Sequence, residues 1–141
     1  MQILEFQEAV EIIVSKDSRY QTECYFFLRD VLNFVIKRRR KSRKENISSH
    51  VSPVELLEGF RLQLLKEFGP MVPTVLDYWG IKDSSDVGQV VFHLVEAGVL
   101  GKTANDTLDS FAHLLDFEQA FVIPFQPIQL QATATSLISS L

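Results

Sequence analysis

The sequence is short of several things that would narrow its function. Cys24 is the lone cysteine, which excludes an internal disulfide and a multi-cysteine metal site and fits a reducing compartment. No apolar run reaches the ~18 residues of a membrane span. The N-terminus, with Glu5, Glu8 and Glu11, lacks the basic-then-apolar order of a signal peptide, so a cytoplasmic location is expected. No Gly-rich phosphate loop, GxSxG elbow or HExxH occurs. Positive charge is scarce too, with 14 Lys and Arg against 18 Asp and Glu.

What is present has the balance of one folded domain. The chain has 141 residues, 46% of them hydrophobic and 23% charged, which is enough to bury one core without staples. The exception is KRRRKSRK at 37 to 44, which puts seven cations into eight positions. Half of the 14 Lys and Arg lie there and all 18 Asp and Glu lie elsewhere, so the rest of the chain carries −11. Such asymmetry bears on partners and association rates rather than on fold.

Apolar spacing predicts helices at about 3–15, 19–38, 53–68, 71–79 and 85–97. The first sets Phe6, Ala9, Val10, Ile13 and Val14 on one face. Ser18 can cap the second, whose face runs through Tyr20, Cys24, Phe27, Leu28, Val31, Phe34 and Val35. Residues 37–51 read as a basic connector. The third has a strong start signal in Ser52, Pro53 and Glu55, a capping box with proline at the first helical position, and a stop at Gly69 and Pro70. Gly80 ends the fourth, Ser84 or Ser85 can cap the fifth, and Gly98 closes it.

Beyond Gly98 the pattern changes to turn residues and then an alternation through Leu115 and Phe117, which suggests a small β-hairpin. Helices followed by a two-stranded excursion give the expected fold: mainly α (α+β), one domain over 1–123 with a winged-helix-like C-terminal half. Residues 124–141, which carry no charge, read as a tail or an added edge strand.

Residues 68 to 121 carry a combination of segments, FGPMVPTVLDYWGI, DVGQVVFHLVEAGVL and DFEQAF, that resembles an uncharacterised protein family best known from planctomycete and verrucomicrobial genomes. ECYFFLRDVL near the N-terminus extends the resemblance. It implies a bacterial setting and transfers no activity or functional residue. The basic run and the uncharged tail lie outside it.

Three classes of function compete. Lys37, Arg38, Arg39, Arg40, Lys41, Arg43 and Lys44 are candidate anion-binding residues, since clustered cations gain affinity for phosphate backbones by releasing counterions. The same run can instead be a solvated loop or lie against the acidic surface of its own domain. No aromatic residue for base stacking occurs from 37 to 50. In a winged helix the recognition element is the helix at 85–97, yet its polar face carries Asp86, Gln89, His93 and Glu96 and no cation. Groove reading through it is therefore disfavoured.

His93 with Glu96, and His113 with Asp116, have the spacing of metal-ligand pairs, although such pairs recur by chance as ordinary surface residues. Tyr78 and Trp79 are candidate interface anchors, with core packing the commoner fate of a Trp. Cys24 reads as a small buried hydrophobe. The expectation is a non-enzymatic interaction or regulatory module with a protein partner. Nucleic-acid or polyanion binding through 37–44 is the alternative, and a small metal-dependent enzyme comes third. No catalytic residue and no cofactor is assigned, and self-association stays open.

Overall fold

A computed structural model describes residues 3–42, 51–100 and 108–126. Five α-helices follow in order: α1 (Ile3–Lys16), α2 (Thr22–Ser42), α3 (Pro53–Phe68), α4 (Val72–Trp79) and α5 (Ser84–Glu96). A 3-10 turn at Gly69–Met71 joins α3 to α4, and the C-terminal part consists of a 3-10 turn at Leu108–Phe111, a π turn at Glu118–Val122 and a 3-10 turn at Ile123–Phe125.

Helix α2 is the hub, packing against α1, α3, α4 and α5. Its buried side chains therefore include Tyr25 and Leu32 as well as Cys24, Leu28, Val31 and Val35, a wider stripe than a helix lying on one partner requires, while Tyr20 is buried from the turn before it. Phe34, expected in the core, is only half-buried. Around α2, Phe27 meets Phe60, Phe68 and Trp79 at ring separations of 5.1 to 6.0 Å. The Phe60 ring meets it edge-on, a geometry favoured by ring quadrupoles, and the other two are tilted.

Helix α3 begins as its sequence predicts. Ser52 is extended, its Oγ accepts from the Glu55 N–H at 3.2 Å, and Glu55 accepts in return from the Ser52 N–H. Helix α4 buries Val72, Leu76 and Trp79 and stops at Gly80, whose φ of 87° is left-handed. A methyl group at Gly80 would lie 2.2 Å from the Arg19 carbonyl oxygen. That approach, with the Gln21 N–H donating to the Trp79 carbonyl at 3.2 Å, fastens α4 to the turn between α1 and α2.

Four expectations need correction. Helix α2 starts at Thr22, leaving Ser18 in the preceding turn, and continues to Ser42. The supposed connector is thus helical over its first residues, because Lys and Arg are good helix formers and favour the negative end of the dipole. Helix α5 is capped by Asp83, paired with Asp86 in a capping box; Ser84 is instead buried and donates to the Phe111 carbonyl.

No strand occurs among the described residues, so the fold is helical and the winged-helix-like half with its hairpin is wrong. Phe117 and Phe121 are four apart, a helical spacing, and their rings meet edge-on at 5.4 Å. Phe111 is buried against α5 with its ring beside Gly88. For residues 124–126 there is no described strand to extend, and the rest of the uncharged segment lies outside the described residues, as do Arg43 and Lys44.

Candidate functional site

The basic run rides on the last turns of α2. Successive helical residues point ~100° apart, so Lys37, Arg38 and Arg39 point to different sides of the helix rather than forming one face. Lys37 and Arg38 are exposed. Arg39 turns toward α3, with its Nε 3.2 Å from Oε2 of Glu55. Glu55 thus serves both the capping box and this ion pair. Its side chain is 38% exposed, and pairs of that kind contribute about 0 to 1 kcal/mol. Next to it, Glu58 pairs with Arg61, whose Nε donates to Oε2 at 3.0 Å. The Arg61 hydrogen bonds hold the Glu58 carboxyl below the usual range, and Arg38 adds to the effect.

Between these helix ends lies a notch. A methyl group at Gly59 would sit 2.4 Å from Cγ2 of Val35 and 3.3 Å from Cγ1 of Val31, so α2 and α3 meet at van der Waals contact there because α3 has no side chain at that position. From that contact outward a cavity of about 390 Å³ opens, lined by Val35, Arg38, Arg39, Val54, Glu55, Glu58 and Gly59. Val54 is 63% exposed. A cationic wall, an apolar lip and two carboxylates therefore face one another across it.

A different polar group joins the other end of α2 to α5. Nδ1 of His93 is 2.9 Å from the Tyr25 hydroxyl, and its Nε2 is 3.7 Å from Oδ2 of Asp17. Burial pushes the Tyr25 phenol up and the His93 imidazolium down, against the pull of Asp17. With its ring hydrogen on Nε2, the tautomer that faces the Asp17 carboxylate, His93 accepts at Nδ1 from the neutral Tyr25 hydroxyl. Hydrogen bonds from the Arg19 side chain and backbone hold the Asp17 carboxyl at about 2. Lys16 and Glu96 share a recess of about 350 Å³ with His93 and Asp17.

The two His/acid pairs do not converge. His93 and Glu96 face this recess, whereas His113 and Asp116 border another, of about 330 Å³, with Asp83, Ser84 and Ser85. Asp116 accepts from the N–H groups of Glu118 and Gln119 at 3.0 and 3.2 Å, capping the π turn. Among the described residues no three His, Cys, Asp or Glu side chains are grouped to hold a metal ion.

On the polar face of α5, Asp86 is engaged internally whereas Glu96 is exposed. Asp86 accepts from the Tyr20 hydroxyl at 2.5 Å and from the Lys82 N–H at 2.8 Å. Of the two candidate anchors, Tyr78 is 61% exposed and Trp79 is buried, since neighbouring helical residues point to different sides. Cys24 is buried, and burial pushes its thiol up, which leaves it protonated and unreactive. Spacing could not reveal Asp17 beside His93, because only the tertiary fold joins them.

No helix among the described residues is long and apolar enough to cross a membrane. No protein-family model, curated protein or solved structure matches the chain.

Proposed function

We propose that the chain is a non-enzymatic interaction module that binds a protein partner, with the basic end of α2 as its principal contact. The observation that supports this reading is the notch, where Arg38 and Arg39 stand beside the exposed Val54. Charged and apolar contacts side by side are the makeup of a protein interface, the first giving orientation and the second affinity. The setting proposed is the cytoplasm of a bacterium, from the buried free thiol of Cys24 and the resemblance over residues 68–121.

Polyanion binding is the second reading, favoured by the exposure of Lys37 and Arg38 at the head of the basic run. Cross-linking in the native cell, followed by capture of the full chain, tests the first against the second. A nuclease-resistant protein adduct at α2 or α3 is expected. Labelled DNA or RNA bound with steep salt dependence, and no protein adduct, would put the second reading in its place.

A further inference from the structure

We propose that the uncharged C-terminal segment, residues 127–141, docks on the exposed stripe of α4 formed by Met71, Val75 and Tyr78, so that a partner using Tyr78 as an anchor must first displace it. This goes beyond the protein-partner reading and does not depend on the basic end of α2.

The stripe is apolar and free of charge. Val72, Leu76 and Trp79 face the core, and Met71, Thr74, Val75 and Tyr78 recur at helical spacing along the adjoining side. Met71 is 56% and Tyr78 61% exposed, and Val75 is half-buried. Asp77, the one charged residue of α4, points ~100° away from Tyr78. The exposed apolar residues of α1, α3 and α5 are placed differently. Ile12, Val54 and Phe92 each have an exposed carboxylate one turn along the same helix, in Glu8, Glu58 and Glu96.

The path of the chain supplies the occupant. The π turn at Glu118–Val122 packs against α4 and against the Gly69–Met71 turn, and its Phe121 is buried. One turn later Phe125 is exposed again, and Gln126 is extended, with a ψ of 151°. The chain thus passes Gln126 close to its contact with α4. From Met71 to Tyr78 is ~10 Å along a helix, which a few extended residues at roughly 3.3 Å each can span; 15 follow Gln126. They carry no charge and include Ile128, Leu130, Leu137, Ile138 and Leu141, so they cover an apolar stripe without desolvating an ion. A tethered segment also meets the stripe at an effective concentration on the order of millimolar, ahead of a second copy arriving from solution.

Photo-cross-linking of the purified full chain tests this, with p-benzoylphenylalanine in place of Tyr78 or, as a control, of Phe92. Both side chains are exposed, so neither replacement disturbs the core. Mixing isotope-labelled with unlabelled chains separates contacts within a chain from contacts between copies. Adducts from position 78 to residues 127–141 of the same chain are expected, with several-fold lower yield from position 92 and in I128S/L130S/L137S/I138S. As an independent readout, thermolysin should cut within residues 127–141 several-fold faster in M71S/Y78S than in the wild type. Equal yields from the two positions, adducts joining labelled to unlabelled chains, no adduct to 127–141, or equal cutting of wild type and M71S/Y78S would each overturn the proposal and leave the α2 reading as it stands.

Discussion

The two ends of α2 make polar contacts of opposite character. At its start, Tyr20 reaches Asp86 and Tyr25 reaches His93; both tyrosines are buried, and each bond bridges to α5. At its end, Arg39 reaches Glu55 near the surface, in a pair that water and ions can replace. Buried polar groups are costly to leave unmatched, whereas exposed ion pairs contribute little. The first set therefore fixes how α2 and α5 pack, and the second adds little to stability. Where titratable groups are most perturbed is, in this molecule, where the fold is stitched together.

Breaking the stitched end should cost most. Gly80→Ala places a side chain at a left-handed φ and against the Arg19 carbonyl; a loss of about 3 kcal/mol or more is expected in urea unfolding, because backbone cannot yield as a flexible side chain can. Tyr25→Phe removes one donor and leaves Nδ1 of His93 without its partner, and should cost about 1 to 3 kcal/mol.

The same seam has a pH signature. The His93 value is lowered in the fold by burial, so between the folded value and the unfolded 6.5 the unfolded chain binds more protons. This contribution to stability is complete above 6.5 and is lost as pH falls through the folded value. Lys16, Asp17, Arg19 and Glu96 face or border the ring, and the Asp17 carboxyl titrates in a separate window, below its unfolded 3.8 and down to about 2. Melting temperature should therefore fall from pH 7 toward pH 5 in the wild type and change less in His93→Gln. At the other end of α2, Arg39→Gln is the smallest perturbation and should shift unfolding by less than about 1 kcal/mol. A loss as large as that of Tyr25→Phe would erase the contrast between the two ends.

Much of the helical framework could be read from the residues themselves. The bounds of α3 are those expected, 53 to 68, because Ser52, Pro53 and Glu55 start it and Gly69 with Pro70 stops it by local chemistry. The end of α2 was misjudged because a dense charge run resembles a connector, while helix propensity carries it on to Ser42. The hairpin failed for a related reason: Leu115 and Phe117 alternate over too short a span to outweigh the helical spacing of Phe117 and Phe121.

The cations of the candidate site were legible as a run, but the notch was not. It depends on Gly59 meeting Val35 and on Glu55 lying across from Arg39, both products of how α3 packs on α2. Likewise, spacing links His93 to Glu96, while the fold gives it Tyr25 and Asp17 as partners.

The most direct measurement is urea unfolding of the full chain carrying Tyr25→Phe or Arg39→Gln, compared side by side. A loss of about 1 to 3 kcal/mol in the first and of less than about 1 kcal/mol in the second is the predicted result. Equal losses in the two variants would contradict it.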